Sequence, residues 1–316
     1  MTAGLNFKSN KIFSAAMFYI IIMFSLLAPN QLTSQTKEQA FFIDCAQFMD
    51  SDNLILLEIF YSISRQSLTY KENPNGFQAD GTIKTYLMTP IIDWENINIE
   101  KPDSLKMWFD AHTKAVLIDS IQIHDLVDSL HQLLVPEEIV DLSMVKVKQG
   151  DYELLSIYTD LNSKKKKVIR DYYFIRKYPK KKVSLSSIKL ASSITEADGK
   201  ELRFDKNGIR VIPNVSRGYV SGTTEMYFYA EIYNLIIKKE ADKSTYRVEY
   251  FIFDQKGQVV LKSRDESRKN PGVNAFIHGS FNISDLPCGF YKFKIKITDE
   301  FTEKSAEAEK NFYIHN

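Results

Sequence analysis

Between Tyr291 and Ile297 apolar and charged residues alternate without a break: Tyr291, Phe293, Ile295 and Ile297 against Lys292, Lys294 and Lys296. Strict period two marks a strand with one buried and one wet face. Asp299 ends the run, "EFTEKS" makes the return, and 305–314 reads as the partner strand. The Asp fits there because its carboxylate accepts from nearby backbone N–H groups. Other strands are legible in the same way. "DGTIKTYLM" (80–88) alternates, and "LRFDKNGIRVIP" (202–213) holds Asn207-Gly208, the strongest short hairpin signal. "YRVEYFIFDQKGQVVLK" (246–262) reads as strand, turn at Lys256-Gly257, strand. One stretch reads otherwise. In "IDSIQIHDLVDSLHQLL" (118–134), Ile123, Leu126, Leu130 and Leu133 fall at helical spacing, with Ser120 placed to cap. A short amphipathic helix or a long decorated loop is expected there.

The chain writes one phrase twice. "GDYELLSIYTD" (150–160) aligns with "GFYKFKIKITD" (289–299), and the match runs without a gap to "DYYFI" (171–175) against "KNFYI" (310–314). A repeat of this period implies tandem domains, not a solenoid. The entrances "VKQGDY" (147–152) and "LPCGFY" (286–291) share hydrophobic-x-x-Gly-x-Tyr. That pattern resembles the tyrosine corner of Greek-key sandwiches, in which a Tyr near the start of the penultimate strand bonds back to upstream backbone. A plain Gly turn before a core Tyr is the alternative, and the recurrence favours the corner. Upstream, "LLEIFYSIS" (56–64) parallels "YAEIYNLII" (229–237), with Glu58 against Glu231. Glu58 to Ile175 is a step of 117 and Glu231 to Ile314 a step of 83, so the first copy carries a surplus, placed at about 95–135. Leu155 and Ile157 replace Lys294 and Lys296, which predicts a covered second face on that strand, under the extra segment or the other domain. The expected fold is all-β: two tandem immunoglobulin-like β-sandwich domains with a short helical or loop insertion in the first. Their expected bounds are 35–176 and 196–316, joined by a basic, then Ser-rich linker at 177–195.

Before them, Lys8 and Lys11 precede the uncharged run "IFSAAMFYIIIMFSLLA" (12–28), followed by "PNQLTSQT". A basic start, an apolar centre and a polar exit describe a secretory signal peptide, with cleavage after Ser34. The run also reaches the lower limit for a retained N-terminal anchor, and a buried core helix is a third reading. Either main reading takes residues from about 35 onward out of the cytoplasm, to a periplasm or cell surface. Of 316 residues, 44% are hydrophobic and 13% aromatic, so a packed core is expected, and the formal net charge is only +1. A nucleic-acid binder would show a clear basic excess. The two cysteines, Cys45 and Cys288, fall in different predicted domains and are expected as separately buried thiols.

"SLSSIKLASSI" (184–194), "VIPNVSRGY" (211–219), "YFYAEIYNL" (227–235) and "LPCGFYKFKIKITD" (286–299) together resemble the N-terminal, sandwich-like region of bacterial GWxTD-domain exported proteins. The resemblance covers most of 41–315 and implies fold and export. No Gly-Trp-x-Thr-Asp occurs in the chain, so no activity of that domain carries over.

Chemistry is sparse. There is no G-x-S-x-G, H-E-x-x-H or phosphate-binding Gly-rich loop. His124, Asp128 and His131 would share one side of the predicted helix, a solvated stripe more readily than a metal face. "DSDN" (50–53) reads as a turn before a calcium loop. The most basic stretch is "KKKKVIRDYYFIRKYPKKK" (164–182). Lys164, Lys165, Lys166, Lys167, Arg170, Lys180, Lys181 and Lys182 are its candidate contacts to an anionic partner: protein, lipid headgroup or glycan. The bland reading is a solvated turn and linker whose lysines discourage edge pairing. In "YFYAEIY" (227–233), Tyr227 and Tyr229 share a strand face and could stack on a sugar, or pack against a neighbouring domain. No cofactor, metal site or catalytic residue is expected. The expectation is a non-enzymatic, exported interaction or scaffold protein of a bacterial cell envelope, with an envelope protein as partner and no nucleic acid. Membrane contact would come only through a retained 12–28 segment. The alternatives are a carbohydrate-binding module using Tyr227 and Tyr229, and an enzyme built on His124 and His131 in the 95–135 insertion.

Overall fold

A computed structural model of the chain describes residues 41–50, 54–90, 113–134, 136–200, 202–237, 244–263 and 265–316. The expectations for the 1–34 segment and for 95–112 of the 95–135 insertion fall outside these residues. The first half contributes β1 (Phe41–Met49), β2 (Ile55–Ser64), β3 (Lys71–Asn73), β4 (Gly76–Pro90), β5 (Thr113–Val127), β6 (Glu138–Val147), β7 (Gly150–Asp160) and β8 (Lys166–Ile175). The second contributes β9 (Ser184–Leu185), β10 (Lys189–Glu196), β11 (Asp205–Lys206), β12 (Ile209–Pro213), β13 (Gly218–Val220), β14 (Glu225–Tyr233), β15 (Thr245–Phe253), β16 (Val259–Lys262), β17 (Glu266–Lys269), β18 (Ala275–Asn282), β19 (Gly289–Asp299) and β20 (Ser305–His315). The described residues are all-β, without an α-helix. Four sheets form: β1-β2-β6; β3-β4-β7-β8 with β5 on β4; β11-β12-β10-β14-β18 with β9 on β14; and β13-β20-β19-β15-β16 with β17 on β15.

The repeated phrase builds the same hairpin twice. Gly150 pairs with Ile175 and Thr159 with Lys166; Gly289 pairs with Ile314 and Thr298 with Ser305. Both corners form. The Tyr152 hydroxyl donates to the Lys148 carbonyl at 3.1 Å and the Tyr291 hydroxyl to the Pro287 carbonyl at 2.7 Å, each four residues upstream. In each copy a Cβ on the preceding Gly would rest against the Tyr ring, at 3.5 and 3.8 Å. The far ends match too. Asp160 accepts from the N–H groups of Asn162 and Ser163 and, across the sheet, from Thr69. Asp299 accepts from Phe301 and Thr302 and from Ile236. Each turn closes through a left-handed residue, Lys164 (φ 62) or Glu303 (φ 56).

Burial shows why some strands lack alternation. In β1 and β2 the odd positions Phe41, Cys45, Leu57, Ile59 and Tyr61 pack with Ile83, Leu154 and Tyr158 of the sheet beneath. The even positions Ala46, Phe48 and Phe60 join a second cluster with Ala191, Val211, Val215 and Tyr229. In β14 the even residues Met226, Phe228, Ala230 and Ile232 enter a third core, against Val248, Tyr250, Phe293 and Ile295. The central strands of the two middle sheets are thus buried on both faces, and the four sheets stack as two β-sandwiches back to back. Such strands read as near-continuous apolar runs, which is what "ILLEIFYSIS" is. Ala40–Met88 and Ala115–Asn316 form one compact unit. The 177–195 stretch supplies β9 and most of β10.

The helix expected within 118–134 does not form. β5 is a strand, buried at Ile121, Ile123, Asp125 and Val127 and exposed between them, followed by one 3-10 turn at Leu130–Leu134. Ser120 lies inside the strand and caps nothing. Its β-branched Val116, Ile118, Ile121 and Ile123 suit a strand, and pairing with β4 decides the period. Leu155 and Ile157 are half-buried, lying across from Tyr86 and Lys84 on β4 and from Arg170 and Val168 on β8.

Candidate functional site

Charge sits where the two middle sheets meet. Glu58 is the polar interruption of β2 and falls on the even, junction-facing side. Lys189 opens β10 and is 3% exposed at its side chain, with Nζ 2.6 Å from Glu58 Oε2. Lys206 ends β11, just before a two-residue turn whose Asn207 (φ 51) and Gly208 (φ 80) are both left-handed, the geometry that suits the right-handed twist of a hairpin. That turn carries Lys206 Nζ to 2.8 Å from Glu58 and 3.2 Å from Glu231. The two matched glutamates of the sequence repeat therefore share one lysine. Glu231 also accepts from the Tyr229 and Tyr233 hydroxyls, both at 2.7 Å. Those hydroxyls accept in turn from Asn207 Nδ2 and from the Met49 backbone N–H. Aromatic faces complete the enclosure: Lys206 lies over Phe48 and Lys189 over Phe60.

Burial alone would raise the Glu58 carboxyl, but Lys189 and Lys206 outweigh it and hold Glu58 below the usual range. Burial pulls the Lys189 ammonium down, against the opposing pull of Glu58. Burial and the adjacent Glu231 push the Tyr229 and Tyr233 hydroxyls up, so both stay donors. This network was missed in the sequence. Its signal was a lone Glu or Lys inside an apolar strand, as in "LLEIFYSIS" and "SSIKLASS", since a buried charge requires a partner.

A cleft of about 460 Å³ opens beside the network, lined by Asp50, Asn207, Glu231, Tyr233, Asn274 and Phe276 among others. Asp50 is paired with Lys146 at 2.8 Å.

The residues singled out in the sequence scatter. Lys164, Lys165 and Lys166 are exposed at the β7–β8 turn, Lys167 is half-buried, and Arg170 is held by Glu153 at 2.5 Å. Lys180, Lys181 and Lys182 are exposed but follow the other end of β8, about 30 Å away along ten strand residues. The basic stretch is thus two patches, not one. β8 lies at the edge of its sheet and exposes Val168, Tyr172 and Phe174 (59–63%) between its cations. Tyr229 is fully buried and Tyr227 packs beside it in the junction. They form no open platform for a sugar, which corrects that candidate pair. His124 bonds Asp80 at 2.8 Å and holds that carboxyl below its usual range. Asp128 and His131 lie past the end of β5, so the shared helical face does not exist. Among the described residues no group of His, Cys, Asp and Glu is arranged to hold a metal, and no helix is long and apolar enough to cross a membrane. Cys45 is buried with its thiol pushed up by burial; Cys288, expected buried, is exposed and donates to Asn316 Oδ1 at 3.1 Å.

No protein-family model matches the chain. No curated protein matches it. Among solved structures it is similar to Bacteroides uniformis beta-glucuronidase 2 covalently bound to cyclophellitol-6-carboxylate aziridine, at TM-score 0.25 and 7% identity, over 81% of this chain and 26% of that one. The chain spans about a quarter of that structure's length.

Proposed function

We propose that the protein is a non-enzymatic interaction module of a bacterial cell envelope, exported by its N-terminal segment, which binds an extended acidic segment of a partner protein along β8. Edge strand β8 carries the reading. Among the described residues it has a neighbour in its sheet on one side only, β7, and exposes Val168, Tyr172 and Phe174 along one face. An added strand takes backbone hydrogen bonds from such an edge and specificity from alternate side chains. Lys164 to Lys167 at the open end select for carboxylates on the incoming strand. The Lys8 and Lys11 start, the apolar 12–28 run and the resemblance to the GWxTD exported proteins support export. The two-domain, immunoglobulin-like reading belongs to the same proposal and is supported by the paired tyrosine corners.

The test is in-cell photocrosslinking with a benzophenone side chain at Tyr172, and at Phe301 on the opposite hairpin as control. The account expects a partner captured from position 172 alone, through an acidic extended segment. Capture is lost when Lys164, Lys165, Lys166 and Lys167 are all changed to Glu. A crosslink insensitive to that reversal, or mapped to a basic or helical segment, would overturn it.

A further inference from the structure

The outer face of β14 continues onto β18. Glu231 pairs with Phe276 and Tyr229 with His278 in the register, so the four side chains share one face. Tyr229 and Tyr233 lie under the first half of the molecule, whereas Phe276 (37% exposed) and His278 stay open. The cleft is the step between covered and open face.

We propose that this cleft binds a neutral, polyhydroxylated ring ligand of the pyranose class, with the apolar side of the ring on Phe276. Four observations carry it. First, the Phe276 ring is held in place, stacked on Tyr229 at 6.1 Å and on His278 at 5.9 Å. It offers a rigid apolar platform at low entropic cost. Second, amides flank the platform. Among the described residues the Asn274 side chain has no hydrogen-bond partner, and Asn207 uses only its Nδ2, on Tyr229. An amide both donates and accepts, which suits a hydroxyl. Third, each carboxylate in the cleft already has a lysine: Lys206 for Glu231 and Lys146 for Asp50. The site is locally neutral, which disfavours a cation, while spare oxygen lone pairs still accept from ligand hydroxyls. Fourth, the volume of about 460 Å³ lies within the range of small-molecule sites. The site differs from the Tyr227 and Tyr229 pair and does not depend on the β8 reading.

The test is saturation-transfer difference NMR on the full chain with glucose, galactose, mannose, N-acetylglucosamine, cellobiose and chitobiose, each at millimolar concentration. At least one saccharide is expected to receive saturation. Affinity is expected to fall roughly tenfold in Phe276→Ala and in Asn274→Ala, with the thermal midpoint of the exposed Asn274→Ala variant unchanged. The variant with Lys164 to Lys167 changed to Glu should bind as well as the parent, which separates this site from the β8 surface. No saturation transfer to any of the six, equal affinity in the Asn274→Ala and Phe276→Ala variants, or displacement by spermidine would overturn it.

Discussion

A tyrosine hydroxyl at one end and an aspartate carboxylate at the other fix each repeated hairpin. Tyr291→Phe leaves the Pro287 carbonyl without its donor and is expected to cost about 1 kcal/mol, read as a lower urea midpoint. Tyr152→Phe should cost less, because that bond is longer (3.1 against 2.7 Å). Asp160 adds a pH dependence. Burial would raise its pKa, but the N–H groups of Ser163, Thr69 and Asn162 prevail and lower it. A depressed folded pKa means the stabilisation is complete above the unfolded value, near 4, and is lost as pH falls through the folded value. The stability gap between parent and Asp160→Asn should therefore shrink on acidification from about pH 6 to about pH 3, as urea titrations at each pH would show. Glu58→Gln leaves Lys189 buried against an amide and is expected to cost about 3 kcal/mol. Combining Glu58→Leu with Lys189→Met should be closer to parent than either single change, since removing both charges leaves neither unpaired.

Hairpins were legible because their signals are local. Asn207-Gly208, Lys256-Gly257 and the two Gly-x-Tyr corners each need only a few neighbouring residues to act. β5 was misread because "IDSIQIHDLV" satisfies both periods, and the choice lies with a partner, β4, some forty residues away. Its β-branched content was the available clue. The ion network was less legible still: Glu58 and Lys206 are 148 residues apart, and nothing local says that β2 and β14 turn faces to each other. The separation of the two basic runs was legible as well, since the strand between them holds its ends apart by roughly 3.3 Å per residue. That separation makes a prediction at the scale of the element. Changing Lys164 to Lys167 to Glu should weaken the proposed partner at least tenfold, while Lys180, Lys181 and Lys182 changed to Glu should alter it little. Surface plasmon resonance with the captured partner checks both.

In the whole molecule, the second apolar cluster and two paired glutamates join two β-sandwiches into one unit. Phe48, Phe60 and Tyr229 bury their rings at that junction, and large-to-small changes there cost about 3–5 kcal/mol. Gln47 adds a clasp: its side chain reaches the Phe174 carbonyl and the Arg176 N–H, and its backbone meets Ser187 and Tyr178. On the C-terminal side Lys310 reaches Asp44 at 2.6 Å. The cleft beside Glu231 exists only while this junction is closed. The most direct test is differential scanning calorimetry of the parent and of Glu58→Gln. The account predicts one cooperative transition in the parent, with calorimetric and van't Hoff enthalpies in agreement, shifted down or split by the substitution. Two independent transitions in the parent, neither moved by Glu58→Gln, would contradict it.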